Sequence, residues 1–78
     1  MTQFVEIAVV NTARQGLPGI PIQSYNGDTV YTDDNGLAIL MLEHVSTTIY
    51  VNGFTAYEGS VADLGLCPTF LKTGERID

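Results

Sequence analysis

Turn-forming residues recur about every ten positions along this chain, and the runs between them alternate with a period of two rather than 3.6. That pattern excludes a helical bundle and leaves short strands joined by tight corners. Phe4 to Val10 sets Val5, Ile7 and Val9 on one face and Phe4, Glu6, Ala8 and Val10 on the other. Asn11 to Gly19 reads as a loop, because Gly16, Pro18 and Gly19 fall within four residues. Ile20 to Tyr25 forms the second strand with Ile20 and Ile22 inward. Pro21 lacks a backbone donor and predicts a sheet edge there.

Asn26-Gly27-Asp28 suits a hairpin turn into a third strand, Thr29 to Thr32, and Asp33-Asp34-Asn35-Gly36 turns the chain again. The fourth strand, Leu37 to Leu42, is apolar on both faces, with Leu37, Ile39 and Met41 on one and Ala38, Leu40 and Leu42 on the other. Such a strand is either central and covered by a loop, or it meets another subunit. The second alternative is preferred, and it makes Ala38, Leu40 and Leu42 the expected partner interface. Thr47 to Val51 is a fifth strand, Asn52-Gly53 a corner, and Phe54 to Tyr57 opens a sixth. Gly59 to Gly65 leaves room for one helical turn. Leu66 to Lys72 is the last strand, with Pro68 again implying an edge, and the polar tail 74–78 is expected to fray.

Seven short strands with tight connections predict an all-β fold, a seven-stranded antiparallel β-sandwich occupying residues 1–78 as one domain. No connection is long enough for a crossover helix, which excludes parallel βαβ units. A 78-residue chain supports one thin core. Only 15% of its residues are charged, while 45% are hydrophobic, a balance that argues against disorder and for apolar surface that a partner covers.

Three motifs resemble those of the carboxypeptidase-regulatory-like or transthyretin-like (prealbumin-like) domains, whose sandwich is immunoglobulin-like. They are Gly16-Leu17-Pro18-Gly19-Ile20-Pro21-Ile22, Thr32-Asp33-Asp34-Asn35-Gly36-Leu37-Ala38 and Tyr50-Val51-Asn52-Gly53-Phe54. Each is a turn with its flanking strand, so the resemblance implies a fold more than an activity. It implies an accessory, adhesive or structural module, of the kind that decorates virus particles or bacterial surfaces.

The residues offer little chemistry. The net charge is −6, with only Arg14, Lys72 and Arg76 positive, so the chain lacks the basic footprint of nucleic-acid binding or of anionic-membrane contact. An EF-hand reading of the acidic turn fails: with Gly36 at the sixth position, Tyr31 occupies the first and Leu42 the twelfth. Asp33 instead suits a turn cap. His44 and Cys67 are too few for structural zinc, and no metal or other cofactor is expected. No nucleophile, base and orienter set is present, and Cys67 before Pro68 reads as a buried thiol. The enzymatic relatives of the resembling fold use several histidines, and adhesin-type isopeptide bonds need an early lysine. This chain has one histidine and a single, late Lys72.

The expected function is therefore a non-catalytic structural or interaction module, such as a virion decoration or tail component or a small accessory subunit, with a protein partner or a second copy of itself. The alternative is a small-ligand or carbohydrate-binding domain using Tyr25, Tyr31, Tyr50 and Tyr57 as a stacking platform. That alternative requires two of the rings side by side on one outer face. Met1-Thr2-Gln3-Phe4 has no basic n-region or long apolar run, so synthesis in a cytoplasm without a signal peptide is expected, with incorporation into a virion or surface assembly open to it.

Overall fold

Strict alternation makes Gln3–Val10 (β1) the spine of the molecule: Val5, Ile7 and Val9 are fully buried. The computed structural model describes residues 2–25 and 27–77. Asn26, expected in the first hairpin turn, lies outside them, although Gly27 N–H still donates to Ser24 O across that turn at 2.9 Å. The remaining elements are Pro21–Ser24 (β2), Thr29–Tyr31 (β3), Leu37–Leu42 (β4), Ser46–Val51 (β5), Phe54–Ser60 (β6), Val61–Leu64 (α1) and Thr69–Leu71 (β7). None of the described helices is long and apolar enough to cross a membrane.

The chain is mostly β and folds as two sheets, one ordered β4-β1-β7 and the other β3-β2-β5-β6. Their facing side chains form one core. Val5, Ile7, Val9, Ala38, Leu40, Leu42 and Phe70 come from the first sheet and Ile22, Ile49 and Val51 from the second, with Val61 and Leu64 of α1 plugging one end. The corner between β5 and β6 is Asn52-Gly53, both at positive φ (53° and 83°), which matches the twist that a two-residue hairpin needs.

Three expectations are corrected. The arrangement is not antiparallel throughout: β1 pairs antiparallel with β4 but parallel with β7, through Ala8↔Thr69, Val9↔Phe70 and Val10↔Leu71. The crossover that such a pair requires is the whole of the second sheet, not a helix, because β1 and β7 stand at opposite ends of the sequence. Pro21 does not mark an edge: β2 lies between β3 and β5. It is the first residue of its strand, where the missing donor costs nothing, and its carbonyl still accepts from Asn52 N–H at 2.9 Å. The described part of the tail is not loose either. Leu71 N–H donates to Glu75 O, Ile77 N–H to Thr69 O, and Arg76 forms a bridge with Phe70.

Candidate functional site

Thr32 and Asp33 organise the side of the molecule where β3 meets β4. The buried Thr32 hydroxyl donates to Leu17 O at 2.5 Å and accepts from Ile20 N–H at 2.9 Å, tying the 16–20 loop to the end of β3. Asp33 Oδ1 accepts from Asn35 N–H (2.8 Å) and Leu37 N–H (3.1 Å) and so closes the turn into β4. That carboxylate is occupied in capping the turn. Gly36 follows at φ 80°, its backbone pressed against Val9 and Gly16.

Beyond this tie a cleft opens between the two sheets, with a volume of about 440 Å³. One wall is the run Ile39–Glu43; the other is Ser24, Val30, Gly27 and Asp28, with Tyr25, His44 and Thr47 at its mouth. A second cavity of about 430 Å³ adjoins it, sharing Tyr25, His44 and Thr47 and adding Glu58. The carboxylates on these rims are Asp28, Glu43 and Glu58, and neither lining contains a lysine or arginine.

The cleft wall carries unspent backbone. Glu6 and Ala8 N–H groups donate towards the 66–68 segment, to Leu66 O at 2.9 Å and Pro68 O at 3.0 Å. The odd residues of β1 therefore turn their backbone groups to β4, as Val9 N–H does to Gly36 O at 2.8 Å. In the register Val5↔Leu40 and Ile7↔Ala38, the even residues of β4 answer them. Ile39 and Met41 then point their N–H and C=O groups out of the sheet edge and towards the cleft. Among the described residues no backbone group pairs with them.

The expected partner interface is corrected by the same register. Ala38, Leu40 and Leu42 oppose the core face of β1 and are buried. The other face of β4 is the exposed one. Met41 lies directly opposite Phe4 and Ile39 opposite Glu6; Phe4, Met41 and Ile39 are 62%, 53% and 52% exposed. Cys67 is exposed, not buried, because the chain bends at Leu66-Cys67 and sends only Pro68 and Phe70 inward.

Of the four tyrosines, Tyr25 and Tyr31 are exposed and Tyr50 and Tyr57 half-buried. Tyr31 opposes Pro21, Tyr50 opposes Gln23 and Thr55, and Tyr57 opposes Ile49, so no two rings stand opposite each other. Simple alternation would put Tyr57 outside with Tyr50. A bulge between Ile49 and Tyr50 inserts Ala56 into the count and turns Tyr57 inward against the core. Its hydroxyl donates to Ser60 O at 2.5 Å. The helix start that follows is capped by Ser60 Oγ, which accepts from Asp63 N–H at 3.1 Å. His44 is exposed and reaches the cleft mouth, which the sequence alone did not indicate. Comparison with protein-family models, with characterised proteins and with solved structures finds no match to this chain.

Proposed function

We propose that this chain is a non-catalytic interaction module, a sandwich of immunoglobulin-like and prealbumin-like type that serves as a small component of a larger protein assembly. One observation carries the reading: the outer face of the β4-β1-β7 sheet. Phe4, Ile39 and Met41 are each more than half exposed and lie together on adjacent strands. Apolar side chains scattered singly are ordinary, but a contiguous group across paired strands marks a surface that is covered in use. The nearest charge on that face is Glu6, paired in register with Ile39. Contact there needs no rearrangement, since β1 and β4 are held by six residue pairs.

Light scattering over a concentration series tests this. The expected result is a mass that rises above 8.4 kDa with concentration and returns to the monomer value in the double variant Phe4→Ser, Ile39→Ser. A wild-type chain that stays monomeric at its solubility limit, and raises no fluorescence from a hydrophobic dye, would sink the reading.

A further inference from the structure

Four strand edges are left by the two sheets, and three of them are managed. β7 is covered by the returning tail, through the bonds of Leu71 and Ile77. β6 carries Glu58, is itself bulged at Ala56, and has the tail against its start: a Cβ on Gly74 would stand 3.1 Å from Phe54 Cβ. β3 is three residues long. Charge, bulges, shortness and cover are the ways proteins block edge pairing. β4 uses none of them. Its six residues, Leu37-Ala38-Ile39-Leu40-Met41-Leu42, hold no charge and no proline, and the backbone groups of Ile39 and Met41 face the cleft without a partner among the described residues.

We infer that the β4 edge receives an extended segment of a partner protein, one that alternates apolar side chains and carries lysine or arginine at one end. The inference rests on reading the chain as an interaction module, and it names a second mode of contact, made through the backbone edge of β4 and not through the side chains of the outer face. A strand laid beside β4 extends the three-stranded sheet to four. Its main chain takes up the N–H and C=O groups of Ile39 and Met41. Alternate side chains of the segment drop into the cleft towards Val30, Leu40 and Leu42, and the others join Ile39 and Met41 outside.

Charge fixes the chemistry of the end. β3 runs towards the Asp33–Gly36 turn and β4 runs away from it, so Asp28 before β3 and Glu43 after β4 both stand at the open end of the cleft. No lysine or arginine lines either cavity to offset them, and the chain as a whole carries −6. A cationic end is attracted there. A second copy of this chain brings its own Asp28 and Glu43 and is disfavoured at this edge.

Fluorescence anisotropy decides the matter with three synthetic peptides of alternating valine and threonine, flanked at both ends by lysine pairs, serine pairs or glutamate pairs. The lysine peptide should bind at least tenfold more tightly than the glutamate peptide, and its advantage should shrink as salt is raised. The double variant Asp28→Lys, Glu43→Lys should reverse that preference. Met41→Pro removes an N–H that points away from β1, so it should abolish binding while the fold persists. Should that variant misfold, hydrogen exchange on the wild-type chain reads the same contact: the Ile39 and Met41 amides should slow when the lysine peptide is added. Equal affinity for all three peptides, no binding of the lysine peptide, or unchanged exchange at both amides would overturn the proposal. These outcomes are separate from the light-scattering result, which Phe4 and Ile39 on the outer face control.

Discussion

The two long sides of this molecule are finished differently. On the β6/β7 side the tail returns and closes the seam: Arg76 donates to Leu64 O at 2.6 Å and lies 5.8 Å from the Tyr57 ring, while Asn52 Nδ2 reaches Lys72 O at 3.4 Å. On the β3/β4 side one tight turn joins the sheets at one end, and the cleft opens at the other. The core beneath is continuous across both. The difference therefore lies in how sheet edges are treated, not in how well the interior is packed. An open edge is a hazard unless something fills it.

The largest effect expected on this comparison comes from breaking the turn that ties the open side. A Cβ at Gly36 would stand 2.6 Å from Val9 O and 2.7 Å from both Gly16 Cα and Leu17 N, on a backbone already at φ 80°. Every close atom is main chain, so no rotamer change relieves the overlap. Gly36→Val should destabilise by about 3 kcal/mol or more, adding backbone strain to overpacking. A urea midpoint unchanged from wild type would show that the turn does not hold the two sheets together.

Thr32→Val should act less strongly on the same side. Valine fills the space but leaves Ile20 N–H and Leu17 O without the hydroxyl that joins them, at a cost of about 2 kcal/mol. Thr32→Ser keeps both bonds and should recover most of the loss. Equal destabilisation by both variants would mean that the methyl group, not the hydroxyl, matters at this position.

These two positions also show how far the sequence was legible. The motif from Thr32 to Ala38 spelled out a capped turn, and the structure gives Asp33 and Gly36 those roles. Asn52-Gly53 and the alternation of β1 were equally plain, because turn chemistry and pleat are local properties. What failed was long-range. Leu37, Ile39 and Met41 are as apolar as Ala38, Leu40 and Leu42, and only pairing with Val5 and Ile7 decides which set turns inward. The bulge that redirects Tyr57, the bend that exposes Cys67 and the parallel return of β7 likewise depend on partners far along the chain. The cleft was invisible for the same reason: its walls, β4 and the turn between β2 and β3, meet only in the folded molecule.

The smallest effect belongs to the closed side. Arg76 is exposed, yet its guanidinium joins the tail to the end of α1 and to the Tyr57 ring. Arg76→Ala should cost about 1 kcal/mol, the scale of one charge-assisted hydrogen bond with a cation–π contact at a wet site. The informative readout is local. Exchange of the Leu71 and Ile77 amides, which bond within the tail, should speed up, while that of Thr32, on the opposite side, should not. Arg76→Lys keeps the charge but not the planar fork, so it should restore only part of the protection. Equal acceleration at Thr32 would mean that the two sides open together, and the contrast between a sealed seam and an open one would not survive.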